Sequence, residues 1–278
     1  GVDNGYLMAV FDGHCGWQAA DFAARKFDEK FSRNMKEKYD RDDPESVQKV
    51  FSQTFEDIEQ ELLETVRSAI DLGIAEVARI GSCALAASVI GNHLTVANAG
   101  DCQAVLCSRK EGNLVATEMN TVFNANNPDE QKRLLQEFPN ERDIYVCNGP
   151  GACYVKGLLM PTRSFGDFYL KLPEFNTQEK FPQGKRYYPT IEDFTGPYLE
   201  YKPEFRQATL NDGDEYVILA TDGLWDEMTP QEATDIVESC NGDLALATEK
   251  LRTTALEHAA QLAGLTYQQL IGLSLERP

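Results

Sequence analysis

An α+β domain with antiparallel sheets is the fold the sequence predicts. Apolar residues recur at three- and four-residue steps near the start and the end of the chain, which marks amphipathic helices. Between them lie short runs of small and β-branched residues separated by turn signals, which mark strands. The composition agrees: 278 residues, 42% hydrophobic and 26% charged, is that of a globular chain with room for one large domain. No window approaches 18 apolar residues, so no membrane span is expected. No charged-then-apolar leader is visible at Gly1.

Each element has its own signal. Tyr6 to Phe11 reads as a buried strand closed by the turn dipeptide Asp12-Gly13. Trp17, Ala20, Ala24, Phe27 and Phe31 then form one apolar helix face. A polar, acidic linker covers 36–45. Phe51, Phe55, Ile58, Leu62 and Val66 mark a second amphipathic helix. From Gly81 the period changes to that of strands. Two antiparallel strands are joined by a turn at Gly91-Asn92, and a third runs from Ala104 to Cys107. Residues 110–150 are polar, with a helix expected from Asp129 to Phe138. Residues 171–200 are rich in proline and read as an irregular surface excursion. "EYVILATDGLWD" is another buried strand ending in Asp-Gly. "TPQEATDIVESC" is a helix capped by Thr229 with Pro230 at its first position, and a last helix is expected from Gly242 to Leu262.

Charge excludes some partners. Forty-five acids against 26 bases give a net charge of −19, a field that repels nucleic-acid phosphates and anionic membranes. Most of these acids serve solubility; the alternative is that a few converge to hold cations. The seven cysteines are Cys15, Cys83, Cys102, Cys107, Cys147, Cys153 and Cys240. Their number is odd and no C-x-x-C occurs, so neither a zinc site nor a disulfide framework is predicted. Reduced thiols in an intracellular, cytoplasmic setting are expected.

Three apolar strands each deliver a carboxylate at their end: Asp12 after "AVF", Asp101 after "TVANAG" and Asp222 after "ILAT". Taken singly, each reads as turn punctuation. Taken together, side-by-side strand ends would crowd acids that repel one another unless cations neutralise them. Oxygen-only donors favour magnesium or manganese over zinc. His14, two residues beyond Asp12, is placed to protonate a departing alkoxide; a capping or hydrogen-bonded turn histidine is the alternative. The neighbouring thiol invites a different chemistry. His14-Cys15 looks like the start of a cysteine-phosphatase loop, but that loop needs an arginine six positions after the cysteine. Asp21 stands there, and an acid would repel phosphate.

Four ordered blocks carry a family resemblance. "VFDGHCGWQAADF", "GSCALAASVIGNHLTVANAGDCQAVL", "VKGLLMPTRSFGDFYLK" and "VILATDGLWDEM" resemble the blocks of the metal-dependent protein serine/threonine phosphatases of type 2C. "GPYLEYKPEF" is similar to the pyruvate dehydrogenase phosphatase branch. The resemblance implies a four-layer α-β-β-α sandwich, two antiparallel sheets face to face with helices outside, over a single catalytic domain spanning 1–278. It implies that Asp12 bridges two magnesium or manganese ions, that the Gly13 carbonyl ligates one and that Asp222 binds the other. Asp101 matches the acid at a weaker third ion, with Asp226 near it. His14 is then the general acid, and Arg163 and Asp167 have a structural or substrate-side role. Water between the ions would supply the hydroxide that attacks phosphorus in line. The substrates implied are phosphoproteins, and a monomer is expected.

The chain departs from the family pattern at Cys15 (a glycine), Cys83 (a threonine) and Cys102-Gln103 (Ser-Arg). Cys83 reads as a small core filler. Cys102 and Gln103 bear on the third-ion site, and oxidation of Cys15 is a candidate means of inhibition. Gly1 falls after the family's R-x-x-M-E-D segment, and "LSLERP" falls before its Asp-Asn strand. The expectation is that the sequence given lacks the family's first and last segments. The alternative is a pseudophosphatase, a binding module without turnover. An unrelated acidic scaffold would leave the four blocks unexplained.

Overall fold

The computed structural model of the chain describes residues 5–43, 45–176, 191 and 193–275. In chain order its elements are β1 (Gly5–His14), α1 (Gln18–Lys38), α2 (Ser46–Asp71), β2 (Gly81–Ile90), β3 (His93–Ala99), β4 (Gln103–Lys110) and β5 (Asn113–Glu118). There follow α3 (Pro128–Glu137), β6 (Tyr145–Cys147), β7 (Cys153–Val155), β8 (Phe165–Gly166), β9 (Glu204–Thr209) and β10 (Asp214–Ala220). The last elements are α4 (Asp222–Trp225), α5 (Pro230–Glu238), α6 (Leu244–Leu262) and α7 (Tyr267–Leu275). This is a mixed fold of antiparallel sheets and helices. Half of the excursion expected over 171–200, namely 177–190 and 192, lies outside the described residues.

The elements fall into two compact units. The first comprises Gly1–Cys102 and Asn120–Thr209. Its main sheet has the order β1-β2-β3-β9, with β8 also paired to β2. The small and β-branched residues of β2 and β3 are buried almost throughout, and Gly91-Asn92 joins the two strands as expected. α2 buries all five residues of its predicted stripe, beside Phe27 and Phe31 of α1. Each such side chain stabilises by about 1.5–3 kcal/mol relative to exposure. Phe27 and Phe31 are buried as predicted, but the first turns of the α1 face are displaced by one residue. Ala19 and Ala23 are buried, whereas Ala24 and Trp17 are exposed. Alanine fits either side of a helix, so Ala20 and Ala24 carried little orientational information.

The same unit corrects the cysteine reading. Cys147 and Cys153 face each other across the β6–β7 hairpin and form a disulfide. A six-residue separation has no distinctive spacing; the hairpin register supplies the proximity. The other five cysteines are free, and only Cys15 of them is exposed.

The second unit comprises Gln103–Met119 and Leu210–Pro278. Its sheet has the order β10-β4-β5, with β5 in a stretch read only as polar. Val105, Cys107, Leu114 and Ile218 pack with residues of α5 and α6. β10 is half-buried rather than buried, with Ile218 alone fully covered. α5 begins as predicted. Thr229 accepts from the Glu232 amide while the Glu232 side chain accepts from the Thr229 amide, and Pro230 follows the cap.

Candidate active site

The sequence motif "FDGHCG" folds differently from a strand closed by a turn. β1 does not stop at Asp12-Gly13. Its ladder with β2 runs unbroken from Gly5↔Ile90 to Asp12↔Cys83, Gly13↔Ser82 and His14↔Gly81. The chain turns one step later, at Cys15 (φ 57°) and Gly16 (φ 144°). Gly13 is there for close packing: a Cβ would lie 3.1 Å from that of Ala20 on α1. Within a strand, Asp12 and His14 project to the same face. The turn-capping alternative for His14 is thereby removed.

His14 meets an acid from far along the chain. Its Nε2 donates to Asp167 Oδ2 at 2.6 Å, and Ser164 Oγ donates to the same oxygen at 2.6 Å. Asp167 is wholly buried, in a left-handed conformation (φ 50°), and its amide bonds to Ile80 O. Gly81 makes the meeting possible. It pairs with His14 of β1 and with Gly166 of β8, so it lies between them. A Cβ on Gly81 would stand 2.0 Å from Asp167 Oδ2 and 2.4 Å from His14 Nε2.

The segment that carries Asp167 is clamped from α2. Glu59 Oε2 accepts from the Gly166 amide at 2.9 Å. Lys171 Nζ donates to Glu59 Oε1 and to Ser164 O, both at 2.6 Å. Glu59 and Lys171 are both buried. A continuous chain of polar contacts thus runs from α2 through Lys171 and Ser164 to Asp167 and His14.

Charge gathers at the same place. Burial works against a charged His14 ring, but Asp167, by charge and hydrogen bond, and then Asp101 and Asp12 hold its pKa above the ordinary histidine value. Asp101, which follows Gly100 at the end of β3, is nearly buried. Cys83, the strand partner of Asp12, is core filler as expected; burial, then the Asp101 charge, push its thiol well up. The exposed Cys15 thiol is also pushed up, by partial burial and by Asp167, against a smaller opposing pull from Arg79. A raised thiol holds less thiolate at neutral pH than an ordinary one. Arg163 is engaged structurally, over the Phe123 ring at 3.9 Å and donating to Lys202 O.

The structure therefore brings Asp12, His14 and Asp101 together in the first unit. In the second it brings Asp222 and Asp226 together at the two ends of one short turn, the Asp226 amide bonding to Asp222 O. Burial, then the charges of Asp222 and Glu227, raise the Asp226 carboxyl. Glu227 Oε2 is buried without a hydrogen-bond partner among the described residues. No three His, Cys, Asp or Glu side chains form a ready-made metal cluster among the described residues. The donors themselves fit hard divalent cations: oxygen only, with like charges crowded in each unit. Asp167 as the partner of His14 is the functional contact that sequence reading missed.

An acid-flanked histidine among carboxylates is an arrangement suited to proton transfer beside hard cations. Comparison with known proteins gives the family. The model of the family described as protein phosphatase 2C matches residues 1–262. The chain is 32% identical over 266 residues to the Probable protein phosphatase 2C 67 of Arabidopsis thaliana, covering 96% of this chain and 68% of that protein. It is 32% identical over 267 residues to the Probable protein phosphatase 2C 36 of Oryza sativa subsp. japonica, covering 95% and 66%. Among solved structures it is similar in fold to the serine-threonine phosphatase 2C of Toxoplasma gondii, with TM-score 0.64 and 15% identity over 92% of this chain and 81% of that one. It is also similar to a C. elegans sex-determining protein, with TM-score 0.66 and 21% identity over 91% and 53%. The chain belongs to the protein phosphatase 2C family, whose members are metal-dependent protein serine/threonine phosphatases. It spans about two thirds of the length of the curated relatives it matches.

Proposed function

We propose that this chain is the catalytic domain of a metal-dependent phosphatase that hydrolyses phosphoserine and phosphothreonine in proteins. The observation that carries the reading is the His14 cluster. A histidine held by a buried acid shares a strand face with Asp12 and feels the charge of Asp101. In the first unit, Asp12, the Gly13 carbonyl and Asp101 would hold divalent cations; in the second, Asp222 with Asp226 would. Two ions are the reading, with Asp101 matching the acid at a weaker third. When bound, magnesium or manganese neutralises phosphoryl charge and makes water nucleophilic near neutral pH. The chain's own contribution is to orient the phosphoryl group against these carboxylate-held positions and to deliver a proton. His14 gives that proton to the serine or threonine oxygen as it leaves.

The same reading extends to a four-layer sandwich as the full architecture, one catalytic domain over 1–278, a cytoplasmic monomer, and no nucleic-acid or membrane partner. Among the described residues no helix is long and apolar enough to cross a membrane. The pyruvate dehydrogenase phosphatase likeness rests on "GPYLEYKPEF", in which Tyr198 and Leu199 are core residues. Packing accounts for those two, and the substrate is drawn no more finely than phosphoproteins. The comparisons lend no support to a pseudophosphatase.

The test is hydrolysis of phosphothreonine peptides by the complete protein with and without manganese, beside calorimetric titration of the metal. Manganese-dependent turnover is expected, with Asp12→Asn weakening both metal binding and turnover. Metal binding without turnover would reinstate the binding module; neither binding nor turnover would overturn the reading.

A further inference from the structure

Asp167 and Gly81, which lie outside the proposed metal ligands, both adjoin the His14 ring. We infer that Asp167, seated in the gap that side-chain-free Gly81 leaves, holds the His14 ring by Nε2–H, so that Nδ1 is the atom that delivers the proton. The inference rests on the reading of His14 as general acid and adds which nitrogen acts and what positions it.

Three observations carry it. An ionised carboxylate only accepts, so the 2.6 Å contact assigns the Nε2 proton to the bond with Asp167. A histidine whose one nitrogen is committed in this way presents the other to its substrate. Second, the gap is built for this contact. β2 passes between His14 and Gly166 with glycine at 81, and a Cβ there would overlap both Asp167 Oδ2 and His14 Nε2. Third, Asp167 has no freedom to be elsewhere. It is fully buried, its backbone is left-handed, and Ser164 Oγ donates to the oxygen that receives His14. Left-handed backbone at a non-glycine residue persists where the surroundings over-determine it. Here Gly166 (φ 73°) precedes it, and a Cβ on Gly166 would meet Ile80 O at 2.4 Å.

Proton balance follows. The step needs a proton on Nδ1 as well as on Nε2 before reaction. A hydroxide oxygen, its other proton lost to solvent, forms a bond to phosphorus as the ester oxygen–phosphorus bond breaks and inorganic phosphate is released; the electron pair goes to the serine or threonine oxygen, and Nδ1–H passes its proton to that oxygen. The ring is left neutral with Nε2–H still bonded to Asp167. Asp167 gains no proton. It is a positioning residue, as is Gly81.

The experiment compares two substrates on the complete protein with manganese. A phosphothreonine peptide needs leaving-group protonation; p-nitrophenyl phosphate does not, because p-nitrophenolate leaves as the anion. His14→Gln, Asp167→Asn, Asp167→Ala and Gly81→Ala are measured on both, with circular dichroism melts to establish folding. Expected is a fall in kcat of about 100-fold on the peptide for each, with KM little changed and a fall below about tenfold on p-nitrophenyl phosphate. Asp167→Asn, which retains an acceptor oxygen for Nε2–H, is expected to recover part of the peptide activity lost in Asp167→Ala. Equal losses on both substrates for His14→Gln would overturn the general-acid reading itself. Substrate-selective loss in His14→Gln but not in folded Asp167→Ala or Gly81→Ala would overturn the positioning role alone.

Discussion

The buried pair of Glu59 and Lys171 makes a quantitative prediction. Lys171→Met keeps the length and apolar stem of the side chain and removes its charge. Two bonds of 2.6 Å disappear, one to Glu59 Oε1 and one to Ser164 O. Glu59 is left as a carboxylate at 4% side-chain exposure, with the Gly166 amide its remaining partner of this set. Stranding a buried charge costs about 3–5 kcal/mol. Adding Glu59→Gln removes that charge yet keeps an oxygen for the Gly166 amide, so about 2 kcal/mol or more should return. Burial already raises the Glu59 carboxyl above its ordinary value, against the pull of Lys171 and Gly166. A raised folded value means that protonation favours the folded state. That contribution is fully present below the unfolded pKa and is lost as pH rises through the folded one. The cost of Lys171→Met should therefore be smaller at about pH 5 than at about pH 7.5. Urea unfolding followed by far-ultraviolet circular dichroism measures it, with unchanged slope. The reasoning fails if Lys171→Met lies within about 1 kcal/mol of the parent, or if the added Glu59→Gln restores nothing.

Other outcomes follow from single contacts. Glu130 is buried, and its carboxyl lies below the ordinary value; burial opposes this, but Arg133 and Thr162 outweigh it. Its stabilisation is present above the unfolded pKa and lost as pH falls through the folded one. Glu130→Gln should cost about 2–3 kcal/mol near neutral pH and progressively less in acid, read from urea midpoints across pH. Cys15 stands in left-handed backbone, so Cys15→Gly should stabilise by about 1 kcal/mol in thermal melts. With its thiol pushed up, Cys15 should alkylate with iodoacetamide no faster than an ordinary exposed cysteine at neutral pH, as followed by mass spectrometry. Thr229→Ala removes the capping box of α5 and should cost about 1 kcal/mol, again by urea unfolding.

Legibility in the sequence tracked how local each cause is. The α2 stripe, the Gly91-Asn92 hairpin and the Thr229 cap depend on neighbours within a few residues, and all were read correctly. Asp12-Gly13 misled because Asp-Gly has two uses. Its glycine makes room for Ala20 of α1, and nothing in the motif distinguishes that from a turn. β5 escaped because its outer face is polar and half-exposed. The Cys147–Cys153 bond depends on a hairpin register that the spacing does not encode. That Asp12, His14 and Asp101 lie near one another was legible because each falls at or near a strand end with a recognisable block around it. The contact of Asp167 with His14 was not, because 153 residues separate the two and the double pairing of Gly81, with His14 and with Gly166, brings them together.

The unbroken β1–β2 ladder has a consequence for protein engineering. Ten successive pairs run from Gly5↔Ile90 to His14↔Gly81, a span of roughly 30 Å at strand rise. Within that span, deleting one residue from β1 upstream of Asp12 would exchange the faces of everything beyond it, carrying Asp12 and His14 away from their partners together. Beyond its far end the demand vanishes. Gly91-Asn92 is exposed, and a Cβ on Gly91 would meet nothing within 4 Å. That hairpin is the place to graft a peptide tag or a fluorescent reporter: a handle attached to the rigid strand that carries Gly81, yet set at the opposite end from the chemistry.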